Sequence, residues 1–471
     1  MKNLVIAKFG GSAIGVDGKF IPVIIKRINE LKKDSKVICV FSAPLTSYDG
    51  KEKSLTDIAL VLGQNAQRGE SVNIKELRKP YEKILDFVDK KYQDEYNNTV
   101  DSFLEKASTA LKQAREKKEF SDVIRSRTLA YSGEILMSYV MNYVMKSTGI
   151  KSNVISFEIW PILTDSNIES ANFLASQSAQ NLQATEKLLE SNDVLSIGGF
   201  IGKTLDGLET TYERGGSDRT AADLGILFHK KYNTKIDFEK DSAVRSADPR
   251  IVKKKLEDIS NLSYNEARIA GMFGMKILDP IAIKEIVENG VDMPIIITDM
   301  NKPEMITIIE RKPGNKNGHP LKIVTGKKNC AILRIESVAA QRLFESLEKD
   351  KRYGEFVVLS PFIKDDIEFT RVLFLDGDYV KRNERYILAF DSLATITHNR
   401  GVITLIGDEM WRVQQVASKA SSKIGEAGLN ILNMDAQEET SRIIIVIEDK
   451  GDDIEKAIRV VHAERSKIKF V

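Results

Sequence analysis

Short apolar runs at 4–9, 37–42, 154–157, 194–197 and 295–298 punctuate roughly the first 300 residues. They are apolar at consecutive rather than alternate positions and are bounded by turn residues, the pattern of strands buried on both faces of a largely parallel sheet. Between them lie stretches of helical period, such as 20–33 and 221–231, with one apolar and one polar face. A long, heavily charged span from about 74 to 146 also repeats with helical period and predicts a helical insertion. The first 310 residues therefore predict a layered α/β architecture.

The pattern changes after "ERKPGNKNGHPLKIVTGKKN", a stretch rich in Lys, Gly, Asn and Pro that predicts a solvated linker over 311–329. Beyond it comes a strand at 331–336, a helix at 338–351, and strands at 356–359 and 367–375. The same order recurs as a strand at 401–406, a helix at 409–426, strands at 429–435 and 442–448, and a helix at 453–463. Two βαββ units of similar size predict a duplicated ferredoxin-like module over 330–471. Gly428 stands just past a helix end, where a left-handed cap is expected.

Composition narrows the function classes. The 70 basic and 68 acidic residues leave a net charge of +2, no drive toward nucleic acid or an acidic membrane. The two cysteines, Cys39 and Cys330, sit in apolar strand contexts and are too few for a disulfide framework or a thiolate zinc site. The four histidines, His229, His319, His398 and His462, have no metal-ligand spacing. No apolar run nears the roughly 20 residues of a membrane span, and the chain opens directly into a strand without a leader pattern. A cytoplasmic enzyme or regulator is expected, with carboxylates, Lys, Arg and backbone amides carrying any chemistry.

"IGGFIGKT" at 197–204 looks like a P-loop, but Gly198 and Gly202 are one residue too close and Ile197 stands where the first glycine belongs. A better phosphate loop is "LVIAKFGGSAIG" at 4–15, where a strand delivers Lys8 into a Gly10-Gly11-Ser12 turn ahead of a helix. Glycines let backbone N–H groups close on an anion, and Lys8 can set a cation on a phosphoryl group. "LETTYERGGSDRTAADLG" at 208–225 adds Arg214, two glycines, Ser217 and Asp218 before a helix expected to start near Thr220. Ser217 or Asp218 suits an N-cap, and the same turn with Arg214 suits a carboxylate ligand.

In order and spacing, Lys-Phe-Gly-Gly-Ser, Gly-Phe-Ile-Gly, Thr-Thr-x-x-Arg-Gly-Gly-Ser-Asp, Ser-Ala-Asp-Pro-Arg and Phe-Gly-Met-Lys-Ile-Leu-Asp-Pro resemble the aspartate kinases, within the amino-acid kinase superfamily. The resemblance covers nearly the whole chain. It implies a three-layer αβα sandwich over 1–310 and paired ACT-type regulatory modules over 330–471, the second, about 400–464, inserted in the first and the terminal "SKIKFV" returning to complete it. It implies ATP-dependent phosphorylation of the β-carboxylate of L-aspartate, with Mg²⁺ carried by the nucleotide, no metal site of the protein's own, and a feedback amino acid, lysine or threonine, bound near the turn at 425–433. A homodimer or higher homo-oligomer, with neither nucleic-acid nor membrane partners, follows from the same likeness.

Residue by residue, the resemblance gives Lys8 and Asp218 catalytic roles and puts Lys8, Gly10, Gly11 and Ser12 on the ATP phosphates. Arg214, Gly215, Gly216 and Ser217 would line the aspartate site. Glu134, in "YSGEILMSYVM", matches a Gly-Glu at a helix start that meets the substrate amine, and Thr46 matches a substrate-binding threonine. Asp248, Arg250 and Lys276 match nucleotide-side residues, and Lys203 is expected to face solvent. Departures cluster on the nucleotide side. The family's Thr-Asp pair falls on Glu239-Lys240, its aromatic on Arg245, and Asp279 stands where a histidine is common. The Gly-Gly-Thr-Ser-Val that usually follows the lysine is here Gly-Gly-Ser-Ala-Ile. Two alternatives stay open at this stage: another kinase of the superfamily, acting on N-acetylglutamate, glutamate or a nucleoside monophosphate, and a non-catalytic amino-acid sensor.

Overall fold

The computed structural model describes residues 1–213, 216–312, 319–350, 355–438 and 440–468. The chain divides into two compact units, Met1–Ala243 with Ile281–Glu310, and Val244–Pro280 with Arg311–Val471.

In the first unit the consecutive apolar runs become the centre of one sheet. Its strands lie in the order Ile306–Glu310, Ile295–Asp299, Asn233–Lys240, Asn3–Phe9, Lys36–Phe41, Val194–Gly198, Ser152–Val154. All neighbours are parallel except the first two, which are antiparallel. Leu4, Val5, Ile6, Ala7 and Phe9 are all buried, as are Val37 through Phe41, because helices cover both faces. Helix Gly216–Phe228 packs on the face to which Lys8 points, and helix Ile21–Leu31 sends Arg27 to Glu239 on the opposite one. This is the expected three-layer sandwich. The charged span is helical as expected, through Lys75–Ile84, Lys90–Lys117, Asp122–Leu129 and Ile135–Ser147. A helix the sequence reading left out, Leu55–Gln67, precedes it, capped by Ser54, whose hydroxyl accepts from the Asp57 N–H.

The second unit is built on a six-stranded sheet in the order Phe356–Lys364, Ile367–Phe374, Ile323–Glu336, Thr395–Ile406, Arg442–Glu448, Asn433–Ala436. The two central strands are long and antiparallel and exchange halves. Residues 331–336 pair with 374–369 on one side, and residues 330–334 pair with 400–395 on the other. Residues 323–327 pair with 406–402, which in turn pair with 442–446. Each module thus has the four strands of a ferredoxin-like fold.

This corrects the expected nesting. The first module, closed by 395–400, is the inserted one, and the second takes its fourth strand from 323–327, upstream of both. Residues 323–329, assigned by the sequence to the linker, are therefore strand. Their glycine and lysines disguised it: Gly326 lies where a Cβ would come within 3.0 Å of Ile458 and 2.5 Å of the Val402 carbonyl. The end of "SKIKFV" lies outside the described residues, and Arg465–Lys467 forms a short 3₁₀ turn. A helix the sequence reading omitted, Gly377–Leu388, starts at Asp376, whose carboxylate accepts from the N–H groups of Asp378 and Tyr379 at 3.0 Å. The expected helix at 409–426 is a 3₁₀ turn, Met410–Arg412, followed by helix Val416–Glu426. Gly428 is left-handed at φ 77°, as anticipated.

Residues 244–280, which the sequence reading placed with the first 310, pack in the second unit. Ala247 and Val252 join a core with Leu321, Val324, Ile403 and Leu405. Ser246 and His462 Nε2 are 2.9 Å apart, and Arg465 pairs with Glu257. Lys322 reaches the buried carboxylate of Glu266 at 2.7 Å.

Candidate active site

The site is assembled at the carboxyl ends of the parallel strands, where open α/β sheets leave a crevice. Backbone bonds stagger these ends: the Ser42 N–H donates to the Phe9 carbonyl at 3.1 Å, and the Gly199 N–H to the Phe41 carbonyl at 2.8 Å. Asn3–Phe9 delivers Lys8, and the chain turns through Gly10 into a single helical turn, Gly11–Ile14. A Cβ on Gly10 would stand 3.1 Å from the Lys8 ammonium, so glycine keeps the space above that cation open. Ser12 is exposed at the start of the turn.

Lys8 Nζ lies 2.8 Å from Asp218 Oδ1. The helix expected near Thr220 begins instead at Gly216, so Ser217 and Asp218 are first-turn residues rather than caps. A carboxylate there is favoured by the helix dipole. Ser217 Oγ accepts from Ser42 Oγ at 3.0 Å, and a Cβ on Gly199 would meet Ser217 at 2.6 Å. Gly198-Gly199 of "IGGFIGKT" thus lets the strand end approach the loop rather than a phosphate. Phe200 follows at φ 70°, a left-handed conformation strained for a bulky residue. It is held there from both sides, its N–H donating to Thr220 Oγ1 at 2.9 Å and its carbonyl accepting from the Tyr212 N–H at 3.1 Å. Arg214 and Gly215 lie outside the described residues. Gly216, just after them, donates its N–H to the Glu213 carbonyl at 3.1 Å.

Glu134 is not at a helix start. It ends one turn of π-helix, Ala130–Glu134, inside a continuous helical run from Asp122 to Ser147. Such turns expose carbonyls; here the Tyr81 hydroxyl donates to the Ser132 carbonyl at 2.8 Å. The Glu134 carboxyl is buried beside Lys8, bonded by the Ala43 N–H and the Thr56 hydroxyl. Burial outweighs these partners and pushes its pKa up to about 8. Its Oε2 has no hydrogen-bond partner among the described residues. A buried carboxyl with an open oxygen fits an ammonium group, which would restore the missing charge and bond.

The other expected residues divide. Thr46 is buried and its hydroxyl donates to Asp17 Oδ1 at 2.7 Å, so its proton is committed to the fold. Lys203 does not simply face solvent: its ammonium donates to the Phe157 and Glu158 carbonyls at 2.8 and 3.2 Å. Asp248, Arg250 and Lys276 belong to the second unit. There Arg250 pairs with Asp248 at 2.5 Å and lowers its pKa, with Lys276 adding to the effect.

Three residues at the site went unread in the sequence. Ser42 and Thr56 gave no signal beyond being hydroxyls near a strand end and a helix start. Lys240 was noted only as a departure. Its strand neighbour Glu239 is buried and bound by Arg27 at 2.8 Å from Nη2, so the altered pair splits, one residue to each face.

A glycine turn with a lysine–aspartate pair at the carboxyl ends of these strands is the arrangement of a phosphoryl-transfer site. Residues 3–299 match the amino acid kinase family, and the chain belongs to it. The chain is 28% identical over 337 residues to the aspartokinase of Rickettsia felis, covering 69% of this chain and 79% of that one. With an aspartokinase of Helicobacter pylori it shares 27% identity over 342 residues, 70% of this chain and 81% of the other. Among solved structures it is similar to E. coli aspartokinase III in complex with aspartate and ADP, with a TM-score of 0.78 at 16% identity over 98% of this chain and 99% of that one. The aspartate kinase of Clostridium acetobutylicum gives 0.69 at 21% identity over 98% and 100%.

Proposed function

We propose that this chain is an aspartate kinase, transferring the γ-phosphoryl group of ATP to the β-carboxylate of L-aspartate. The observation that carries this reading is the Lys8–Asp218 pair beside the buried, half-satisfied Glu134, a cation for phosphate next to a receptor for an amine. A β-carboxylate with a reference pKa near 4 is already ionised at pH 7 and needs no general base. The barrier is bringing an anion to an anionic phosphoryl group. At about 4 Å and an effective dielectric of about 20, each unit-charge contact contributes about 4 kcal/mol. Lys8 provides such a contact, and the N–H groups of the Gly10–Ser12 turn would add hydrogen bonds. Asp218 holds the Lys8 ammonium at 2.8 Å, and a Mg²⁺ carried on the nucleotide would, when bound, neutralise further phosphate charge.

In this reading Glu134 takes the α-amine and Arg214, with Gly215, Gly216 and Ser217, the α-carboxylate. Thr46 would offer only its lone pairs. Asp248, Arg250 and Lys276 are assigned to the nucleotide, the unit that carries Lys8 to catalysis, and the two ferredoxin-like modules to regulation of a cytoplasmic homo-oligomer. Lysine or threonine is the proposed effector. A cavity of about 570 Å³ lined by Gly407, Trp411, Val416, Gln437 and Arg442, with no residue of 425–433 in its walls, supports an effector site. The test is ATP-dependent formation of aspartyl hydroxamate. Lys8→Met should lower turnover about 100- to 1,000-fold, some 3–4 kcal/mol, with little change in aspartate affinity. No hydroxamate from wild type with aspartate, but product from glutamate or N-acetylglutamate, would reassign the substrate.

A further inference from the structure

We infer that Lys240 is a second phosphate-binding cation of this site, acting with Lys8 on the polyphosphate of a nucleotide. The inference rests on the reading that the site binds a nucleotide.

The register places it there. Strands Asn3–Phe9 and Asn233–Lys240 are parallel, with Lys8 opposite Phe238. Side chains alternate along a strand, so positions 238 and 240 share the face of Lys8. Lys240 stands two residues further along, level with Gly10, where the sheet ends and the glycine turn begins. Its backbone is fixed, the carbonyl accepting from the Met300 N–H at 2.9 Å, and Asp299 lies opposite it in the neighbouring strand.

The charges around it favour an anion. From helix Gly216–Phe228, Asp218 attracts the Lys240 ammonium, as does the adjoining Asp241, while Lys8 repels it. Asp299 is buried and takes the Asn301 N–H at 3.0 Å. Glu239 is engaged by Arg27 on the far face. Two ammonium groups are therefore under the influence of Asp218 where the sheet ends and the Gly10–Gly11 turn begins, an arrangement that a polyanion between them turns from repulsive to attractive. Burial, the largest influence, lowers the Lys240 pKa to about 8, and a bound phosphate would raise it again.

The experiment is calorimetric titration of the full chain with ADP and with adenosine, from pH 6.5 to 9.5, for wild type, Lys240→Met and Lys240→Arg. Lys240→Met should weaken ADP binding about 10- to 100-fold and leave adenosine unchanged. Lys240→Arg should retain ADP affinity within a few-fold. Wild-type affinity for ADP should decline as the pH rises past about 8, and neither variant should show that inflection. Wild-type ADP affinity in Lys240→Met, equal losses for ADP and adenosine, or an inflection that survives substitution would each overturn the assignment. A wild-type chain that binds no ADP would instead remove the nucleotide reading on which it rests.

Discussion

Glu134 is the residue whose chemistry is most exposed to pH. Its pKa is raised by burial from the ordinary carboxyl range to about 8. The folded protein therefore holds a proton that the unfolded chain has released between about pH 4.5 and 8. Stability is full below that window and falls as pH rises through it. An amine ligand reverses the preference, because it binds the ionised form. Aspartate KM should thus improve as pH rises from 6.5 toward 8, by up to tenfold per unit. Glu134→Gln should abolish that dependence, raise KM about tenfold or more at pH 8, and raise Tm above wild type at pH 8 but not at pH 4.5. An aspartate KM in Glu134→Gln that still tracks pH would place the titrating group elsewhere. The sequence marked Glu134 by its neighbours alone. Its burial, its π-turn and its open oxygen depend on Tyr81, Ala43 and Thr56, which no local pattern connects to it.

At the scale of elements, helix Ile21–Leu31 is tied to the sheet by charge as well as by Ile24 and Ile28. Arg27 spans Glu239, with Nε at 3.0 and 3.1 Å and Nη2 at 2.8 Å, and lies 4.0 Å from Asp237, which also accepts from Thr298 at 2.7 Å. Burial, with Asp237 adding, pushes Glu239 up to about 7 even so. Removing Arg27 leaves two buried acids without their cation. Arg27→Met should cost about 3–5 kcal/mol in urea denaturation at pH 7.5 and clearly less at pH 5, where both acids can take protons. Equal losses at the two pH values would mean packing, not charge, ties the helix. The hydrophobic runs announced these strands because consecutive burial leaves a pattern in one dimension. Which face Glu239 and Lys240 take was set by register with strand Asn3–Phe9, a relation between residues more than 200 positions apart.

At the scale of the whole chain, residues 244–280 carry the lesson. Strand Asn261–Ser263 and helix Tyr264–Met272 lie wholly within them, and motif order puts them with the first 243. Side chains such as Ala247 and Val252 put them with the second unit. A chain ending at Glu310 would strand this segment without Leu321, Val324, Ile403 and Leu405. It should bind a hydrophobic dye, self-associate in size-exclusion chromatography and lose cooperative unfolding. A monomeric, cooperatively unfolding 1–310 chain would show that the segment can repack.

The exchange of strand halves in the second unit also sets an order in time. Residues 323–327 leave the ribosome first, yet their partners at 402–406 follow only after the whole inserted module. At about 5–20 residues per second that strand waits several seconds, while the module that interrupts it can already close. The upstream edge is then an open template, and long-range pairings of this kind form slowly. Pulsed hydrogen exchange during refolding should find the amides of 331–336 protected before those of 323–327. Simultaneous protection would mean that both modules condense as one. The sheet that reads as two copies side by side would be completed at its centre, its earliest strand the last to find its place.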